Sequence, residues 1–328
     1  MKIAIIGAGI SAITIAEILK DTAFVSLFEK SQDVGGRMAV RRSDPYEFDH
    51  GAQFFTAKNE NFKDFINPLI EKKIIKQWHA RFAEYESSTL LRKITWDSRY
   101  PHYVGVPGMN SIAKYLAKGF DIKLNTRVNK IIKNTEHGWE LFDDNENDLG
   151  RFDWVISTAP PIQSAEILPK CFQYQSELLE KKMKGCFSLM LGFKKALPLL
   201  WDAALISDAD ISWVSINSSK PGRAKSFSML VHSTNTWAEN HLSDDSQSII
   251  SYLCKETTKI IGHDTNQANH IGLHAWRYAN IGKQDKSDLL IDYDNRLAAC
   301  GDWISHGRIE SAFEAGFMMA QEFKRIVN

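Results

Sequence analysis

Cysteine is scarce in this chain. Cys171, Cys186, Cys254 and Cys300 are its four thiols in 328 residues, with no C-x-x-C pair and no Cys/His run of zinc-ligating spacing. That argues against a disulfide framework, a structural zinc site and a redox dithiol, and leaves reduced thiols in a cytoplasmic protein as the simplest reading. Net charge is missing as well. Lys plus Arg and Asp plus Glu each number 40, so no global field recruits nucleic acid or an anionic membrane. No apolar run approaches the roughly 20 residues of a membrane span. Glu17 and Lys20 interrupt the apolar start, which therefore reads as part of the fold rather than a leader. There is no internal repeat, no low-complexity segment, no Ser/His/Asp arrangement and no paired-carboxylate motif; no metal and no obligate protein partner are expected.

What is present is an ordinary globular composition, 44% hydrophobic and 24% charged, in a chain long enough for two lobes. Residues 2–6 (KIAII) read as a buried strand, 11–20 as a helix and 23–29 as a second strand. That is the β-turn-α-β order of a parallel sheet with crossover helices. Residues 59–77 have a helical pattern that Pro68 is expected to break or kink. Asn110 or Ser111 opens another helix, and strand-like runs follow at 121–132, 138–142 and 152–158. Residues 186–232 alternate apolar runs with turn signals, placing Trp213, Ser215 and Asn217 on one face and Val214 and Ile216 on the other. A helix at 244–261, a strand at 270–276, the run RLAACGDW and a final helix at 309–326 follow. The expected fold class is α/β and discontinuous. A Rossmann-type lobe with a parallel sheet takes residues 1–58, 102–160 and 286–328. An inserted α+β lobe on an antiparallel sheet takes 59–101 and 161–285.

The sharpest local signal is GAGISA after the first strand, a G-x-G-x-x-A pattern. Gly7 permits the tight turn, Gly9 lets a diphosphate approach the backbone, and Ala12 is small enough for helix-on-strand packing. The helix start supplies unpaired N–H groups and the positive end of a dipole. Glu29 lies twenty residues after Gly9, where a carboxylate accepts hydrogen bonds from ribose hydroxyls. Gly35-Gly36-Arg37 offers a second close backbone approach and a positive charge for phosphate. A packing turn with a solvated acid and a basic surface loop is the plain structural alternative.

The stretches EKSQDVGGRM, FDHGAQFFTAK, VGVPGMNSI and CGDWISHGRIESAFEAG resemble the FAD-dependent amine-oxidase-like flavoproteins. GAQFFTA, WVSINSSKPGR, LVHSTNTW and HAWRYA resemble the renalase-like members most. The resemblance spans essentially the whole chain. It implies an FAD lobe and a substrate lobe, with FAD held noncovalently because Cys300 is out of place for covalent attachment. It also implies cofactor contacts at Gly7, Gly9, Ile10, Ser11, Glu29, Lys30, Gly36, Arg37, Met38, Gln53, Phe54, Thr56, Val128, Asp302 and Ile309. Two departures are Ala12 at the usual third glycine and the lack of a second G-x-G-x-x-G for NAD(P)H.

The same resemblance implies an oxidase that takes hydride from isomeric (2- or 6-) dihydro-NAD(P) and gives NAD(P)+ and, with O2, hydrogen peroxide. An amine oxidase or desaturase of the same superfamily is the alternative. Loss of hydride from a dihydropyridine needs no general base, which suits a sequence without an evident one, and no catalytic side chain is assigned. Substrate-lobe candidates are Trp213, Asn217, His232, Trp276, Arg277 and Tyr278. Core packing for the tryptophans and a satisfied, half-buried histidine are the competing structural readings.

Overall fold

The computed structural model describes residues 1–134, 138–285 and 288–327. The chain divides into two compact units, each assembled from separated segments. The first comprises Met1–Arg37, Ala113–Met183 and Asn280–Asn328, and the second Met38–Ile112 and Lys184–Ala279.

The first unit is built on the expected parallel sheet. Its strand order is Leu290–Asp292, Leu297–Ala299, Trp154–Ser157, Lys2–Ile6, Phe24–Phe28 and Asp121–Lys123. Ile5 lies opposite Leu27 on one side and Ile156 on the other, and Leu290–Asp292 alone runs antiparallel. The central strands are buried at nearly every position because other elements cover the sheet, among them the strand Asp148–Phe152, whose Phe152 packs edge-on against Phe28. The helix Ile10–Leu19 is buried from Ile10 through Ala16 and again at Leu19. It packs against the last helix, Ile309–Val327, at a very close approach. A Cβ on Gly316 would collide with the Ser11 carbonyl oxygen, and Ser11 Oγ donates to the Ala312 carbonyl at 2.7 Å. A three-stranded antiparallel sheet, Val128–Asn134, Gly138–Asp143 and Asp148–Phe152, completes the unit. The single strand expected over 121–132 is thus two strands in different sheets. Asn125, at φ 52°, turns the chain between them.

The second unit holds a seven-stranded sheet. Its order is His270–Asn280, Lys184–Phe193, Phe227–Ser233, Ile211–Ile216, Ala203–Ser207, Arg81–Glu86 and Thr89–Thr95. Lys184–Phe193, Phe227–Ser233, Ile211–Ile216 and Ala203–Ser207 pair antiparallel in turn, while Ala203–Ser207 runs parallel to Arg81–Glu86. Leu189, Leu191, Val214, Ile216, Met229 and Val231 point to one face and join a core with Trp237 and Leu253. Trp237 belongs to the helix Asn235–His241, and Leu253 to Ser246–Ile261. The latter is capped by Asp245, whose side chain accepts from the Gln247 and Ser248 N–H groups, and it stops at Gly262 in the left-handed region.

Three expectations need correction. Pro68 does not break its helix, which runs Glu60–Glu71 through it. Phe62, Ile66 and Leu69 bury one face there, and Pro68 sits near the end, where one missing backbone bond costs least. Residues 38–58 and 102–112 fall in the second unit, not the first, because Tyr46 and Phe48 pack on Met190 and Leu230 of the large sheet. Residues 161–183 and 280–285 fall in the first: Ser164 Oγ meets Ser157 Oγ at 2.8 Å, and the Gln173 N–H donates to Asp292. The expected boundary at 286 lies on 286–287, outside the described residues.

Candidate functional site

In the first unit the glycine signal becomes a cradle. Gly7 ends the first strand at φ 107°, and a Cβ there would sit 2.6 Å from Thr158 Oγ1. Gly9 is the N-cap of Ile10–Leu19, has no side-chain cap, and a Cβ placed on it would touch nothing within 4 Å. The first turn of this helix therefore faces open space, with backbone N–H groups left for an anion. Gly36, at φ 53°, comes so near that its Cβ would lie 3.7 Å from Gly9 Cα. The Gly35 N–H donates to the Ala8 carbonyl at 2.8 Å and ties the second glycine turn to the first.

Glu29 is buried, and backbone orients it: its oxygens accept from the Ala8 N–H at 2.9 Å and the Ser31 N–H at 2.8 Å. A carboxylate has room for further donors beyond these two. The Thr126 N–H donates to the Glu29 carbonyl at 2.9 Å, bringing the lead-in to Val128 beside it. Lys30 is exposed and borders a hollow of about 290 Å³ with Asn125, Arg127 and Asp143. The two chain ends meet through Arg37 and Asp302, whose guanidinium and carboxylate form two parallel bonds of 2.8 and 2.5 Å. Gly307, ahead of Ile309, is held against the Asn280–Ile281 backbone, with a would-be Cβ 2.8 Å from the Ile281 nitrogen.

These residues fit a dinucleotide cofactor. The cradle at Gly9 is space that a side chain would fill, beside an uncapped helix start and an oriented, buried acid. The structure narrows the expected roles of four of them. The Ser11 hydroxyl is spent on Ala312, so Ser11 offers only its backbone N–H. Arg37 and Asp302 engage one another. Met38 is buried at the first residue of the second unit.

The second unit carries the other candidates, with Trp213, His232, Trp276 and Tyr278 on the sheet face opposite its core. Trp213 and His232 are register partners on adjacent strands, and Ser188 lies across from His232. Trp213 lies near Phe54 at 5.5 Å and Phe82 at 6.2 Å between ring centres, and Trp96 stacks on His102 at 3.7 Å. Trp276 donates its indole N–H to the His50 carbonyl at 2.8 Å and stacks under the His50 ring at 5.3 Å. His274, two residues earlier on the same strand, packs edge-on against His50 at 4.9 Å. Tyr278 has the parity of Trp276, whereas Arg277 has the opposite parity and is exposed. Asn217 is not on the strand. It opens a 3-10 turn and clamps residues 47–49, donating to the Glu47 carbonyl at 2.9 Å and accepting from the Asp49 N–H at 3.3 Å.

Beneath this face lies a buried charge cluster that the sequence reading missed. Asp49, Lys220 and Arg223 are essentially fully buried, with Lys220 Nζ at 3.0 Å and Arg223 Nη2 at 2.7 Å from the same carboxylate oxygen. Burial pushes the Lys220 ammonium down to about 8, opposed by Asp49 and assisted by Arg223. Burial alone would raise the Asp49 carboxyl, but Lys220, Arg223 and the Met109 N–H together hold it below its usual range. Gln53 joins the cluster with every polar atom engaged. Its Oε1 accepts from Ser215 at 2.8 Å and Lys220 at 3.1 Å, and its Nε2 donates to the Asp49 and Gly51 carbonyls. Gln53 therefore anchors its own loop, and only its backbone remains for a cofactor. Phe54 turns into the aromatic group, and Thr56 is half-buried just beyond. The one sequence sign of the cluster was two basic residues in SSKPGR after a strand, which no local pattern ties to Asp49.

Burial pushes five imidazoles on this side below their ordinary value. His50 falls to about 3 and His232 to about 4, and His102, His270 and His274 are also lowered. Trp213 Nε1, His232 Nε2, His50 Nδ1 and His102 Nδ1 are buried without a hydrogen-bond partner. Cys300, fully buried beside the Gly-Asp pair, has its thiol pushed up to about 12 by burial.

Residues 5–69 match the family of NAD(P)-binding Rossmann-like domains, and residues 78–323 match that of flavin containing amine oxidoreductases. A 77-residue stretch is 38% identical to 4,4'-diapophytoene desaturase (4,4'-diaponeurosporene-forming) of Staphylococcus aureus strain Newman, covering 20% of this chain and 15% of that protein. Among solved structures, cyclohexylamine oxidase from Brevibacterium oxydans IH-35A superposes with a TM-score of 0.72 at 12% identity, over 99% of both chains. A candidate protoporphyrinogen oxidase from Exiguobacterium sp. 255-15 gives 0.76 at 10%, and putrescine oxidase bound to putrescine 0.69 at 11%, each over 99% of both chains. At these identities the structural matches speak to the fold.

Proposed function

The chain belongs to the flavin containing amine oxidoreductase family, and from that premise we propose that it is an FAD-dependent oxidoreductase that oxidises a small organic substrate by hydride removal, as an amine oxidase or desaturase of this family. The observation that carries the reading is the open glycine cradle at Gly9 within a chain whose residues 78–323 match the family. When bound, FAD supplies the hydride acceptor and the route for electrons onward, with O2 as the proposed final acceptor. The N–H groups of Gly9, Ile10 and Ser11 would hold the diphosphate, and Glu29 would receive the ribose. The Arg37–Asp302 pair ties the last segment to the second glycine turn, and the Ile309 helix start would supply positive potential to bound FAD. FAD is held noncovalently. The Cys300 thiol, buried and pushed up to about 12, is no nucleophile for attachment.

A second reading has its own support. The renalase resemblance points to isomeric dihydronicotinamides, and the face bearing Trp213 and neutral histidines suits an uncharged ring. The family match supports the broader amine oxidase or desaturase reading more directly than this narrower one. One experiment separates them. Purified protein should show a flavin absorption spectrum, and anaerobic titration with amines and with 2- and 6-dihydro-NAD(P) should bleach it with one class. Bleaching by neither class removes both readings, and a colourless protein that takes up no FAD removes the cofactor assignment.

A further inference from the structure

Asp49, Lys220 and Arg223 do not balance. Two cations and one carboxylate leave one positive charge, and all three side chains are buried. Among the described residues Asp49 is the one acid paired with either cation. A buried charge without a counter-charge is strongly unfavourable unless another group answers it.

The Lys220 ammonium is also redundant as a hydrogen-bond donor. Without it, Asp49 Oδ2 still accepts from Arg223 Nε at 3.1 Å and Nη2 at 2.7 Å, and Oδ1 accepts from the Met109 N–H at 3.0 Å. Gln53 Oε1 still accepts from Ser215 at 2.8 Å. Arg223 Nη1 donates to the Gly105 and Pro221 carbonyls. A neutral side chain at 220 would therefore leave a balanced Asp49–Arg223 pair and no stranded group. What Lys220 adds is a charge, 5.4 Å from the centre of the Trp78 ring. Its two bonds, to Asp49 at 3.0 Å and Gln53 at 3.1 Å, set that charge under the loop that carries both residues. Charges kept against stability are a mark of functional sites.

We propose that Lys220 is a charge-holding residue for the flavin, its buried excess positive charge answering the negative charge that FAD acquires with a hydride. The inference rests on the oxidase reading and on the cofactor role that the resemblance gives to Gln53, Phe54 and Thr56. In that step a substrate C–H bond breaks, the hydrogen and both electrons pass to FAD, FAD becomes one unit more negative, and Lys220 keeps its proton. Lys220 is fully buried and acts through space.

The reduction potential of the flavin-loaded protein, read against a redox dye, tests this in the parent and in Lys220→Met. The variant should melt no lower than the parent at pH 7, because it sheds an unbalanced charge and strands no partner. It should disfavour reduction about tenfold, the interaction of two unit charges about 12 Å apart at an effective dielectric of about 20. Tenfold is about 30 mV for two electrons. The parent alone gives a second measurement. The charged or titratable groups facing Lys220 are Asp49, Arg223 and His232. Asp49 is held ionised, Arg223 is always charged, and His232, protonating only near 4, is neutral. Burial brings the Lys220 ammonium down to about 8. Above that pH, reduction should draw one extra proton onto Lys220, and the potential should fall more steeply by about 30 mV per pH unit. In Lys220→Met this break should vanish. An unchanged potential in the variant overturns the proposal, as does a parent without the break. A melting point lower by more than about 5 °C overturns it too, by making Lys220 structural. So does weaker FAD binding at an unchanged potential. If no FAD is taken up, the cofactor reading and this inference fall together. If the potential shifts as expected but neither amines nor dihydronicotinamides reduce the flavin, the inference stands and the oxidase reading falls.

Discussion

At the residue scale, Gly9 and Asp49 show opposite kinds of constraint. Gly9 has room for a Cβ and an ordinary φ of −79°. Gly9→Ala should therefore leave the melting temperature of the apoprotein within about 2 °C of the parent, yet sharply lower flavin content, read as absorbance at 450 nm against 280 nm. Full flavin occupancy in the alanine variant would show that the diphosphate lies elsewhere. Asp49 has no freedom at all, being the single carboxylate for two buried cations. Asp49→Asn should cost about 3–5 kcal/mol in denaturant unfolding, because it strands both charges. The histidines set the acid limit. In the folded chain His50 and His232 protonate only near 3 and 4, whereas in the unfolded chain they do so near 6.5. The unfolded state therefore binds more protons below about pH 6.5, and stability falls as pH drops from there toward the folded values. Each such histidine contributes about 1.4 kcal/mol per pH unit. His232→Gln should flatten the decline of melting temperature between about pH 6.5 and 4.5; an unaltered slope would count against the neutral, buried imidazole.

At the element scale, two helices decide the first unit. Ile10–Leu19 is apolar almost all round and has no solvent face of its own. It forms only when Ile309–Val327 and the parallel sheet cover it, and Gly316 lets the two helix backbones touch near Ser11. Gly316→Val should unfold the protein or lower its melting point by many degrees. Ser11→Ala, which removes one hydrogen bond to the Ala312 carbonyl, should cost about 1 kcal/mol. In the second unit the large sheet divides its labour by strand parity. Val214 and Ile216 face the apolar core, while Trp213 and Ser215 face the histidines and the charge cluster. Two-residue periodicity thus separates the stabilising face from the chemically equipped one.

At the scale of the whole molecule, the chain passes between its units after residues 37, 112, 183 and 279. Neither unit is a contiguous segment, so truncation cannot isolate one. A fragment of residues 1–183 retains the G-x-G-x-x-A turn but lacks the strand Leu297–Ala299 and the final helix. It is expected to be insoluble and colourless; a folded, flavin-binding fragment would contradict the role given to the last helix. Among the described residues no helix is long and apolar enough to cross a membrane. Acid precipitation of the intact holoprotein should release all of its flavin into the supernatant, and yellow pellets would refute noncovalent binding.

The sequence by itself determined the first strand, turn and helix, the parallel-sheet class, and the alternation of residues 213–216. Each of these is local, because hydrophobic period and glycine placement act within a few residues. It also placed Asp302 and Ile309 with the opening motif, although only through resemblance. Tertiary structure alone decided that Pro68 is tolerated, that residues 38–58 lie with the large sheet, and that Gln53 and Asn217 brace a loop. It alone joined Asp49 to Lys220 and Arg223 and gathered His50 beside His274. These groups are 171, 174 and 224 positions apart, and burial and pairing energies act through space, so no pattern along the chain carries them.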